Sequence, residues 1–215
     1  MEVEKDGFLF DVLIHECVLK GLVTAKPDME VPSSVNGKPV ATIAENAFKG
    51  CIGVDTLILP NSIIHINKHA FYAAQINKIE RCGGNKILFV GEEAFKDSHV
   101  RYVSFGGVTF LDCYGSQFRN CTRLTYVDFM NIAGLIPENA FNNTGLNYVV
   151  LRHEVQIAED AFANTNLEMI VLAGVLKDTS NFFQTHDSAT IICEENNPAV
   201  ELVHWGYTVF VKEEK

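Results

Sequence analysis

IAENAFKGCIGVDTLILPNS, residues 43–62, contains the plan of the whole chain. It opens on an apolar residue, Ile43, passes three variable residues and the small Ala47, and reaches Phe48. It closes on Leu57 and Leu59, whose alternation is that of a strand. The first half returns as INKHAF (66–71), VGEEAF (90–95), CYGSQF (113–118), IPENAF (136–141) and IAEDAF (157–162). Phe48, Phe71, Phe95, Phe118, Phe141 and Phe162 therefore stand 23, 24, 23, 23 and 21 residues apart. A unit of that length cannot enclose a core of its own. Each copy must bury its apolar face against the next, which predicts a solenoid.

The second half also repeats, with apolar residues spaced three and then two apart. The sets are Val54, Leu57, Leu59; Ile76, Ile79; Val100, Val103, Phe105; Leu124, Val127, Phe129; Leu146, Val149, Leu151; and Leu167, Ile170, Leu172. One strand per unit, joined in the same sense each time, predicts one long parallel sheet with these positions facing inward. Departures are local. Gln117 replaces the Ala before Phe118, Arg81 takes an apolar strand position, and GGVTFLDC (106–113) lengthens one connection.

These units resemble the BspA-type leucine-rich repeat: an I-x-x-x-A-F segment, a small residue or Cys three positions after the Phe, then an L-x-x-I-x-L-P strand. The resemblance implies a right-handed α/β solenoid with one parallel sheet and about six repeats, capped at both ends. Residues 1–42 are similar to the family's N-terminal cap, 43–174 to its repeats and 175–215 to its C-terminal cap, all one continuous domain. Pro198 is placed for a helix start in that last segment. Many relatives sit on cell surfaces, so the resemblance implies surface attachment or partner recognition.

Composition limits the alternatives. The chain has 215 residues, 47% hydrophobic and 20% charged, which is ordinary for a globular domain. A formal charge of −10 argues against nucleic acid and anionic membranes and favours basic protein surfaces. No run approaches the roughly 18 apolar residues of a spanning helix. Glu2 and Glu4 stand where a signal peptide has basic residues. If Met1 is the natural start the chain is expected in the cytoplasm; if it is trimmed from a longer precursor, at the cell surface or secreted.

The positions of the six cysteines favour neither a disulfide framework nor a metal site. Cys51 and Cys121 share the small-residue column with Ala74, Ser98, Thr144 and Thr165, and sit too many units apart for a disulfide. They are expected to be buried. Cys17, Cys82, Cys113 and Cys193 lack zinc spacing. His65 and His69 read as solvated turn histidines, and Gly83-Gly84 and Gly106-Gly107 lack the setting of a phosphate loop. No catalytic set, metal site or cofactor is expected.

What remains is the outward side of the strands. One column reads Thr56, Lys78, Tyr102, Tyr126, Tyr148, Met169; the next reads Ile58, Glu80, Ser104, Asp128, Val150, Val171. Tyrosine is enriched where partners bind, so the candidate patch is Tyr102, Tyr126, Tyr148, Asp128, Met130, Val150, Arg152 and Met169. Aromatic neighbours across strands also stabilise a sheet without any ligand, and that alternative stands beside the first. The expected partner is a protein, with carbohydrate on the same aromatic ladder or a second copy of the chain as alternatives.

Overall fold

The computed structural model describes residues 1–83, 86–107, 109–127, 132–151, 154–172, 190–194 and 208–212. They form a β-solenoid of about seven turns with two parallel faces around one core. The first face is made by β4 (Asp28–Glu30), β7 (Thr56–Leu59), β9 (Lys78–Arg81), β11 (Tyr102–Ser104) and β13 (Tyr126–Val127), paired in that order. Further along, β15 (Tyr148–Leu151), β17 (Met169–Leu172), β18 (Thr190–Glu194) and β19 (Thr208–Lys212) pair likewise. The second face is made by β6 (Lys38–Ile43), β8 (His65–Ile66), β10 (Leu88–Val90) and β12 (Thr109–Leu111), with β14 (Gly134–Ile136) pairing β16 (Val155–Ile157).

Two expectations change here. Each unit supplies two strands, not one, because the three residues ending at the start of I-x-x-x-A-F also alternate, as in Leu88, Phe89 and Val90 with Phe89 outward. No α-helix occurs among the described residues, so the α/β class does not apply to them. The reason lies in the turns. Asn46, His69, Glu93, Ser116, Asn139 and Asp160 have φ between 51° and 60°, and four positions on Gly50, Ala73, Asp97, Asn120, Asn143 and Asn164 have φ between 53° and 64°. Left-handed residues at both ends of the segment stop a helix from propagating. They also explain the Asn, Asp and Gly found there.

The turns stack as strands do. The N–H groups of Phe48, Phe71, Phe95, Phe118 and Phe141 each donate to a carbonyl of the next turn at 2.6–2.8 Å. Their rings follow at the same spacing, with centroids 4.7–5.2 Å apart and planes within 14° from Phe48 through Phe162. All six rings are buried, as are the inward strand positions from Val54 to Leu172. Phe129 lies outside the described residues.

The fourth unit is displaced. Leu111, paired with Val90, takes the buried place expected of Cys113, which is exposed. GGVTFLDC is thus part strand, not only a longer connection. Gly115 is needed at this turn, since a Cβ there would lie 2.2 Å from the Glu138 carbonyl. Gln117 is buried and its Nε2 donates to the Asp112 carbonyl at 2.7 Å. Arg81 is buried too, donating to the carbonyls of Phe105 (3.1 Å) and Lys86 (2.8 Å) and to Asn61 Oδ1 (3.3 Å).

At the N-terminus β1 (Glu2–Lys5), β2 (Phe8–Val12) and β3 (Cys17–Leu22) form an antiparallel meander, and β3 joins β6 in parallel. β5 (Ser34–Val35) pairs β6 antiparallel. The Phe8 ring meets Phe48 edge-on at 6.4 Å. Of residues 175–215 only β18 and β19 are described, extending the sheet in parallel. The helix expected at Pro198 lies outside the described residues.

Candidate partner-binding site

Register fixes the outward columns. Thr56, Lys78, Tyr102 and Tyr126 are consecutive partners on the first face. The Tyr102 and Tyr126 rings stack at 4.5 Å with planes 6° apart, and the Lys78 ammonium stands 5.3 Å over the other face of Tyr102. Lys78 also pairs with Glu80 at 3.0 Å across adjacent outward positions. Further along, Tyr148 is the partner of Met169 and Val150 of Val171. Tyr148 and Met169 are the most open, at 43% and 42% exposure. Asp128, Met130 and Arg152 lie outside the described residues.

The second face has an aromatic row of its own. His65, Phe89 and Phe110 are register partners, with ring centroids 5.3 and 5.8 Å apart and planes within 21°. Phe89 is 46% exposed. A shallow pocket of about 160 Å³ opens beside it, lined in part by His65, Asn67, Phe89, Gly91 and Asp112. His65, though exposed, therefore belongs to a short strand and a stack and not to a turn. His69 does lie in a turn, but its Nε2 meets Glu93 Oε2 at 2.7 Å, a carboxylate one unit away that chain order does not reveal. Burial, the largest influence, pushes Glu93 up; hydrogen bonds and charge from Lys96 and His69 outweigh it and hold the carboxyl below its ordinary range.

The cysteines sort by column. Cys121 is buried with its Sγ 2.9 Å from the Phe95 carbonyl, and burial pushes its thiol up to about 12. Cys51, expected to be buried, is only half-buried. All six are free thiols.

A family model for the BspA type leucine rich repeat region, in 6 copies, matches residues 31–114 and 83–190. The chain belongs to the BspA-type leucine-rich repeat family. Three solved structures show the same fold at low identity. The T. pallidum leucine rich repeat protein is 17% identical, with all of both chains covered and a TM-score of 0.56. The pneumococcal vaccine antigen PcpA is 11% identical, covering 100% of this chain and 99% of that one, with a TM-score of 0.50. A leucine rich cell surface protein from Faecalibacterium prausnitzii is 14% identical, covering 92% and 71%, with a TM-score of 0.52. Comparison with curated proteins finds no match. The BspA-type array is thus a repeat module of the protein-interaction kind, in a family that is generally a non-enzymatic scaffold.

Within this BspA-type array the structure places Tyr102 beside Tyr126 and Tyr148 beside Met169, the latter pair with Val150 on the adjacent column. The sequence reading missed Phe89, Phe110 and the role of His65. The signal was present in part: an apolar residue stands two positions before some second-face ends, as Leu88 before Val90 and Val155 before Ile157, whereas Thr109 and Gly134 hold that place before Leu111 and Ile136. Among the described residues no group of three His, Cys, Asp or Glu is placed to hold a metal, and no helix is long and apolar enough to cross a membrane.

Proposed function

We propose that this chain is a non-catalytic recognition module that binds a protein partner through the tyrosine-bearing side of its first face. The column Lys78, Tyr102, Tyr126 carries the reading, because it presents aromatic edges and hydroxyls already held in one conformation. Preorganised aromatic groups lose little entropy on binding. Tyr148, Val150 and Met169 extend the patch, and Asp128, Met130 and Arg152 complete it by their sequence positions.

Geometry favours protein over carbohydrate. A sugar ring stacks on an aromatic face, and both faces of Tyr102 are covered, one by Lys78 and one by Tyr126. Ring edges and hydroxyls are what remain, and these suit packing and hydrogen bonds with side chains. The charge of −10 points to a partner with a basic surface. Attachment at a cell surface is the role the family resemblance implies, and two structural neighbours are described as a vaccine antigen and a cell surface protein.

The test compares wild type with a Tyr102→Ser, Tyr126→Ser, Tyr148→Ser variant whose fold is confirmed by circular dichroism. Partners captured from cell-surface extracts are identified, purified and titrated against both. Affinity should fall at least about thirtyfold, the effect of losing a hot spot of about 2 kcal/mol. Equal affinity would leave the tyrosines as sheet stabilisers.

A further inference from the structure

The pocket beside Phe89 has a chemistry the tyrosine face lacks. Its floor is apolar, formed by the buried Ile66, Val90 and Leu111. One wall is the exposed edge of Phe89, whose ring faces are taken by His65 and Phe110. The polar end is Asp112, with Asn67 on the rim. Asp112 Oδ1 accepts the Tyr114 N–H at 3.0 Å, and among the described residues its other oxygen meets no donor. The surroundings are acidic. Glu45, Glu92, Glu138 and Glu159 occupy one column in the turns that follow the second-face strands, and the Lys68 in that column is paired with Glu92 at 2.6 Å.

An apolar wall that leads to a carboxylate matches a long cationic side chain, whose methylenes cover apolar surface while the charged head reaches an anion. We propose that this pocket receives an arginine or lysine of a partner polypeptide, the stem lying along Phe89 and the head donating to Asp112 with Asn67 beside it. The glutamate column draws such a basic segment in from solution. Exposed Ile87 and Phe89 give apolar contact to its neighbours. This site lies on the second face and does not depend on the tyrosine reading.

The probe is a fluorescein-labelled peptide of alternating Gly and Arg, titrated by fluorescence polarisation at low salt, with a citrulline version as the neutral control. Asp112→Asn retains an acceptor for the Tyr114 N–H, so the turn is kept. Asp28→Asn on β4 changes net charge equally at a remote exposed position. Asp112→Asn and Phe89→Ser should each weaken binding about tenfold, as expected for one charge-assisted hydrogen bond or a lost apolar wall. Asp28→Asn and the tyrosine variant should stay within about twofold, as for sites that share no contact. The citrulline peptide should bind at least about tenfold more weakly. Equal losses from Asp112→Asn and Asp28→Asn would mean bulk charge attraction and overturn the proposal. So would equal binding of the citrulline peptide, an absence of binding, or a loss seen only in the tyrosine variant. Melting curves of Phe89→Ser separate lost binding from lost fold.

Discussion

Replacing Phe95 by Leu tests whether the phenylalanine column acts as a stack or only as filling. The ring meets Phe71 at 4.8 Å and Phe118 at 4.7 Å, each with planes 7° apart. Leu keeps most of the buried apolar volume, and the misfit of such a swap costs under about 1.5 kcal/mol. Two stacked ring pairs are lost as well, each contributing about 0.5–1.5 kcal/mol beyond burial, together with a tilted contact to Phe105 at 6.0 Å. The expected destabilisation is about 3 kcal/mol, read from urea unfolding followed in both the near and far ultraviolet. A double-mutant cycle isolates the stacking part. Phe95→Leu with Phe118→Leu should show a coupling of about 1 kcal/mol, whereas Phe95→Leu with Phe141→Leu, separated by the Phe118 ring, should be additive within about 0.5 kcal/mol. If the adjacent pair couples no more strongly than the separated pair, the rings only fill space and the stacking account is wrong.

Ala73 holds a φ of 53° where other units place Gly, Asp or Asn, so Ala73→Gly should raise stability by about 0.5–1 kcal/mol, seen as a higher urea midpoint. Gly115→Ala should cost more than about 3 kcal/mol, because its Cβ would lie 2.2 Å from the Glu138 carbonyl and the backbone must shift. Iodoacetamide at about pH 8 should label exposed Cys82 and Cys113 in the folded protein and reach buried Cys17 and Cys121 only after unfolding, as peptide mass spectra would show. Glu93 has a lowered folded pKa, so its contribution is fully present above the ordinary value of 4.5 and is lost as pH falls through the folded value. The melting temperature of Glu93→Gln should therefore lie below wild type at neutral pH and converge on it in acid.

The first face could be read from sequence because the period-2 rule needs only local spacing, and the inward residues, such as Leu57 or Ile79, were apolar with the exception of Arg81. The second face was harder. Its strands are short, two or three residues at β8, β10 and β12, and their alternation was hidden inside what read as turns. The left-handed turn positions were visible as Asn, Asp and Gly, but His69, Glu93 and Ala73 occupy the same places without advertising it. Tyr102 and Tyr126 could be placed on one column by counting. That Lys78 and Tyr126 close both faces of the Tyr102 ring could not.

Repetition alone determined the solenoid, because a unit too short to hide its own apolar residues has no other way to bury them than on its neighbour. It also determined which residues point inward, since pleating forces alternation once a strand is assumed. Only the tertiary structure decided what adjacent units do to one another. The pairing of His69 with Glu93, the stacking of His65 on Phe89, the displacement of Cys113 by Leu111 and the pocket at Asp112 all join residues about one repeat apart. Such contacts depend on the register between coils, which is set by backbone hydrogen bonds across the whole stack and not by any one unit's composition.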